Sequence, residues 1–119
     1  MPQRNGKRLS IFVGEYQRYY HQPLAEAILE RAREEGLAGG TMARGIEGFG
    51  HSGRLKTTRF LSSSDDLPIV IDIVDEAHRV EAFLPILETM LSDGLVVVSE
   101  VAILSRKGPH SHPLDDDLG

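Results

Sequence analysis

Apolar and polar positions alternate through Leu9–Val13, with Leu9, Ile11 and Val13 on one side and Ser10 and Phe12 on the other. That period of two predicts a first strand, closed by Gly14. A polar, aromatic connection follows, Glu15-Tyr16-Gln17-Arg18-Tyr19-Tyr20-His21-Gln22. Pro23 then suits a first helical position, where a missing N–H costs nothing. The period lengthens to that of a helix from Pro23 to about Glu35, with Leu24, Ala27, Ile28 and Ala32 as the buried stripe and Gly36 as a left-handed stop. Thr41–Ile46, between Gly39-Gly40 and Gly45, is read as a second strand.

The alternation is clearest over Leu67–Val74, a third strand with Ile69, Ile71 and Ile73 set against Val70, Asp72 and Val74. A second helix is expected from about Glu76 to Ser92, with Val80, Phe83, Leu84, Leu87, Met90 and Leu91 on one wide apolar stripe. Pro85 falls inside it, which predicts a kink near Glu81 or a restart at Pro85. Val96–Leu104 completes the pattern as a fourth strand whose two faces are both largely apolar.

Strand, helix, strand, strand, helix, strand is the order of an α+β, ferredoxin-like βαββαβ sandwich, two crossovers on one antiparallel sheet. Helices cover one face of such a sheet. Phe12, Val70, Val74, Val96 and Val98 are expected on the other face, which then needs burial by another copy of the chain. An obligate oligomer is the expectation.

The chain has 119 residues and 40% hydrophobic content, which suits one domain, read as residues 7–104. Ser105 onward lacks periodicity and is read as a disordered tail. Without cysteine there is no disulfide or thiolate metal site. No apolar run reaches the roughly 20 residues of a membrane span, so a cytoplasmic protein without stable membrane insertion is expected. A net charge of −5 argues against a general nucleic-acid binder.

Against that acidic balance, Gly48–Ser64 carries Arg54, Lys56, Arg59 and His51 and no acid. A connection this long exceeds ordinary spacing. Arg44, Arg54, Lys56 and Arg59, with glycines at 45, 48, 50 and 53, suit a phosphate or carboxylate cradle: glycines let backbone N–H groups approach an anion, and the cations add charge-assisted bonds. The alternative is a loop whose charges are simply solvated. Phe49, between Gly48 and Gly50, either meets a ligand or partner or packs on a small satellite core. The candidate ligand-binding set is Arg44, Gly48, Phe49, Gly50, Arg54 and Lys56.

Other constellations are weaker. His110 and His112 with the tail aspartates, or His51 and His78, lack the helical spacing of a zinc site. No metal and no cofactor is expected. Asp72 and Glu100 are read as carboxylates on the interface face, with Arg44 a candidate to share it, and an interchain salt bridge or a surface edge position explains them better than acid–base work. Tyr16, Tyr19 and Tyr20 either line a cleft near the basic loop or pack at a subunit contact. No nucleophile motif is present, so an enzyme is not expected.

Leu9-Ser10-Ile11-Phe12-Val13-Gly14-Glu15, Pro23-Leu24 with Ala27-Ile28, Gly36-Leu37-Ala38-Gly39, Arg44-Gly45-Ile46-Glu47-Gly48-Phe49-Gly50, Asp66-Leu67-Pro68-Ile69-Val70-Ile71 and Phe83-Leu84-Pro85 together resemble the PII-like domain of unknown function 190 family, over residues 7 to 104. The resemblance implies a trimer of ferredoxin-type protomers with the sheets facing inward. It also implies adenine-nucleotide binding in clefts between subunits and a long loop, here Phe49–Asp66, that engages protein partners. Ser92-Asp93-Gly94-Leu95 is much shorter than the nucleotide loop of true PII proteins, and the fourth strand lacks their paired arginines. Nucleotide contacts therefore do not transfer residue by residue. The modified tyrosine of the classical loop is absent between Phe49 and Asp66. The expected function is a homotrimeric regulatory protein binding a small anionic metabolite or adenine nucleotide, a protein partner, or both. A metal-responsive trimer similar to the CutA proteins, or an enzyme on a small anionic substrate, is the alternative.

Overall fold

The computed structural model describes residues 1–45, 47–48, 56–57 and 67–104. The elements are β1 (Gln3–Gly14), β2 (Arg18–Tyr19), β3 (Gln22–Pro23), α1 (Leu24–Glu34), β4 (Gly40–Arg44), β5 (Glu47–Gly48), β6 (Lys56–Thr57), β7 (Pro68–Glu76), α2 (Ala77–Met90) and β8 (Leu95–Leu104). Four of the strands form one antiparallel sheet in the order β4-β7-β1-β8, the ferredoxin-like arrangement. Two small hairpins, β2–β3 and β5–β6, stand outside it.

β1 begins six positions before Leu9, at Gln3, although Gln3–Arg8 is polar. Pairing with both β7 and β8 holds it, so backbone hydrogen bonds extend the strand where hydrophobicity gives no signal. Gly6 lies within this extension. A Cβ there would come 2.8 Å from the Asp75 carbonyl oxygen and would press into the Ile103 side chain. The bare backbone thus lets Ile103 close over β1.

Register decides which side chains share a face. Leu9, Ile11, Ile71 and Ile73 are fully buried under the helices. Val96 and Val98 pair with Ile11 and Leu9, so they belong to this covered side, and Val96 packs against the core. The sequence pattern had set both on the open side, because β8 is apolar on both faces and only pairing distinguishes them. The open side instead carries Phe12, Val70 and Val74 with Leu95, Val97 and Val101 of β8.

α1 presents Leu24, Ala25, Ala27, Ile28 and Ala32 to the sheet. It starts after Pro23 rather than with it and ends where Gly36 adopts φ +83°. Gly36 N–H donates to the Arg33 carbonyl and Leu37 N–H to the Ala32 carbonyl, the paired bonds of a Schellman stop. α2 runs unbroken through Pro85, neither ending nor restarting there. Pro85 and Glu81 both lie on its exposed side, where the carbonyl freed by the missing N–H stays solvated. Val80, Phe83, Leu87 and Met90 form its buried stripe, with Leu84 and Leu91 half-buried beside them. No described helix is long and apolar enough to cross a membrane.

Asp75 is fully buried at the β7–α2 junction. Its carboxylate accepts the Ala38 N–H at 3.0 Å and the Glu76 N–H at 2.7 Å, so it ties the connection after α1 to the start of α2. The expected disordered tail lies outside the described residues.

Candidate functional site

The antiparallel order brings one end of each sheet strand to a common edge. The C-terminal ends of β1 and β4 meet the N-terminal ends of β7 and β8 there. Gly45, where the chain leaves β4, donates its N–H to the Pro68 carbonyl at 2.7 Å. A Cβ on Gly45 would fall 2.7 Å from Pro68 Cγ, so this close approach excludes other residues without a shift. Glu15 N–H donates to the Leu67 carbonyl at 2.8 Å. The segment between Gly45 and Leu67 thus departs and returns at adjacent, hydrogen-bonded positions.

The turn after β1 is equally fastened. Gln17 Oε1 accepts the Gly14 N–H at 2.6 Å, Gln17 Nε2 donates to the Asp93 carbonyl at 3.0 Å, and the Gln17 carbonyl accepts the Leu24 N–H at 2.8 Å. One glutamine therefore links β1, the α2–β8 turn and the start of α1. Gly94 completes that turn with φ +152°, and a Cβ on it would lie 3.0 Å from the Phe12 carbonyl oxygen. The β2–β3 hairpin projects from this edge. Tyr20 at its tip has φ +55°, which is uncommon for a bulky residue, and its ring meets that of Tyr19 edge to face at 4.7 Å. Tyr19 packs toward the core, while Tyr16 and Tyr20 are exposed.

Of the predicted ligand set, Arg44 is placed with its side chain. Its guanidinium is paired: Nε lies 2.8 Å from Glu15 Oε2, and Nη2 lies 3.2 Å from Glu15 Oε1. Gly48 and Lys56 are brought opposite each other as backbone partners across the β5–β6 hairpin. The stretch read as one open loop therefore contains a short ladder. Phe49, Gly50 and Arg54 lie outside the described residues, as do Arg59, His51 and the tail histidines. Glu15 was not singled out in the sequence, where one acid after a strand looks like an ordinary surface residue. The available signal was its place at the end of a segment that carries the family resemblance.

Asp72 and Glu100 do not form a pair. Asp72 sits on the open face, accepting from Arg8 Nε at 3.0 Å and from the Ser10 hydroxyl at 2.6 Å. Glu100 is opposite Lys7 on the other side of the sheet, a separation that follows from register and that composition hides. Arg44 does not join Asp72 either, since its β7 partner is Ile69 on the covered side. The Arg8 hydrogen bond, then that of Ser10, holds the Asp72 carboxyl below the usual aspartate range despite its partial burial. A carboxylate held below its ordinary value and already accepting two hydrogen bonds is a weaker proton acceptor than a free one. Among the described residues no group of three His, Asp or Glu side chains is placed to hold a metal. A groove of about 500 Å³ runs between α1 and the Gly40 end of β4, lined by Glu26, Leu29, Arg33 and Leu37 among others. It lies at the far end of β4 from Arg44.

The geometry has counterparts in known proteins. A UPF0166 protein of Aquifex aeolicus is 31% identical over 98 residues, covering 82% of this chain and 92% of its own. A UPF0166 protein of Methanocaldococcus jannaschii is 28% identical over 95 residues, covering 79% and 87%. Among solved structures, a PII-like signaling protein of Thermus thermophilus superposes with a TM-score of 0.65 at 14% identity, covering 87% of this chain and 94% of that one. CPII of Thiomonas intermedia K12, a nitrogen regulatory PII-like protein solved with ADP, AMP and bicarbonate, gives 0.55 at 24% identity, covering 86% and 91%. Residues 6–103 match the model of the DUF190 family, described as Uncharacterized ACR. From that match and the shared fold, the chain belongs to the DUF190 family and is built on the PII-like, ferredoxin-type architecture.

Proposed function

We propose that this protein is a homotrimeric regulatory protein of the cytoplasm that binds a small anionic ligand, foremost an adenine nucleotide, at a boundary between protomers. Arg44, Gly48, Phe49, Gly50, Arg54 and Lys56 are the proposed ligand-binding residues, and the long segment that contains most of them is the proposed contact for a protein partner. One observation carries the reading: Arg44 and both ends of that segment converge on a single edge of the sheet, fastened by Gly45–Pro68 and Glu15–Leu67 hydrogen bonds. A basic segment held at its base by backbone contacts is suited to change conformation with a ligand while the sheet stays fixed.

Two further facts support it. Phe12, Leu95 and Val97 leave the open sheet face apolar and exposed in the protomer, a surface that a second and third copy would bury. CPII, which has the same fold, was solved with ADP, AMP and bicarbonate. The metal-responsive alternative gains no observation among the described residues.

A thermal-shift titration of the full chain with ADP, AMP and bicarbonate tests the reading, because a ligand that prefers the folded state adds about 2.7 kcal/mol at a hundredfold excess over its Kd. The expected result is a higher Tm with a nucleotide, abolished in Arg54→Ala at unchanged assembly mass. No shift with any of the three would overturn ligand binding and leave the partner-binding role.

A further inference from the structure

Arg44 is the proposed anion ligand whose side chain is placed, and its fork is already closed. Nε and Nη2 meet the two oxygens of Glu15 at 2.8 and 3.2 Å. One N–H···O bond, from Nη2 to Oε1, and a close Nε–Oε2 ion pair hold this carboxylate across the same edge of the guanidinium that takes an external carboxylate, carbonate or phosphate group. Resting on the reading that Arg44 binds an anion, we propose that Glu15 is an internal competitor for that anion. Its carboxylate occupies the subsite, and an incoming oxyanion takes the guanidinium by displacing it.

The surroundings allow the exchange. The Arg44 side chain is half exposed and that of Glu15 about one-fifth, so water reaches the pair and the bond between them is weak. The Glu15 backbone is fixed through its N–H to Leu67, and the neighbouring Gly14 N–H is held by Gln17. The side chain alone turns away, and its charge stays near the site. That residual charge repels the ligand in proportion to the ligand's own charge, so Glu15 selects monoanions over dianions. Bicarbonate and acetate are favoured over inorganic phosphate by this device, and a nucleotide phosphate is admitted only when its other contacts outweigh the repulsion.

Calorimetric titration of bicarbonate, inorganic phosphate and AMP into the full chain tests the proposal, with wild type, Glu15→Gln, Glu15→Ala and Arg44→Ala compared. Removing the Glu15 charge is expected to tighten anion binding by roughly 1.5- to fivefold, more for phosphate than for bicarbonate. The gain should vanish when Arg44→Ala is combined with it. Glu15→Ala covers the case in which the glutamine still hydrogen-bonds Arg44. Wild-type binding of AMP with unchanged or weaker affinity in both Glu15 variants, at native circular dichroism, would overturn the competitor and leave the proposed function standing. Absence of binding in every form would overturn both the competitor and the ligand-binding reading on which it rests.

Discussion

The two faces of the sheet are made from the same kinds of residue and have opposite fates. On one, Leu9, Ile11, Ile71 and Ile73 have no exposed surface. On the other, Phe12 is 37% exposed and Val97 44%, beside an ion pair of Arg8 with Asp72 that the Ser10 hydroxyl joins. Strand alternation supplies apolar side chains to both, but the two helices among the described residues both lie on one side. An apolar set without its own covering layer is the feature on which the proposed assembly rests.

The comparison breaks most sharply at Phe83, 1% exposed on the covered side. Phe83→Ala should cost about 3–5 kcal/mol, read as a lower urea midpoint at unchanged m-value. A loss below about 1 kcal/mol would mean that this side is not the core. Asp75 comes next, since it is the buried charged residue under the helices. Its replacement by alanine strands the Ala38 N–H and should cost about 1–3 kcal/mol, measured in the same way.

On the open face the expected change is in mass rather than stability. Val97→Asp should lower the assembly mass in light scattering while circular dichroism stays native, and a variant that keeps its mass would exclude Val97 from the interface. The smallest effect belongs to Asp72. Its carboxyl sits below the ordinary range when folded, so the stability it contributes is complete above the unfolded value of about 3.9 and is lost as pH falls through the lower folded value. Tm curves of wild type and Asp72→Asn should therefore differ near neutrality and converge as pH falls through the lowered folded value. Parallel curves throughout would remove Arg8 and Ser10 as the source of the lowered value.

Much of the architecture was legible. The period-two runs at Leu9–Val13 and Leu67–Val74 and the stripes Leu24–Ala32 and Val80–Met90 mark elements whose buried faces the structure confirms. Their order alone pointed to the ferredoxin-like sheet. The β2–β3 hairpin was not legible, because Arg18–Pro23 has no alternation and Tyr20 takes a backbone conformation its type rarely adopts. The candidate site was legible only in part. Arg44 stood out as a cation beside glycines, but its partner Glu15 lies 29 residues away along the chain. Nothing local joins them.

By itself, then, the amino-acid sequence determined the four strands of the main sheet and the two helices in outline, the composition of their faces, the family and the concentration of positive charge between Gly48 and Ser64. Tertiary structure decided which face each residue of β8 serves, that Asp72 and Glu100 lie on opposite sides, and that Arg44 meets a carboxylate. Periodicity is a property of neighbours along the chain, whereas register and ion pairing are set by which strands lie side by side, and a shift of one residue would exchange the two faces.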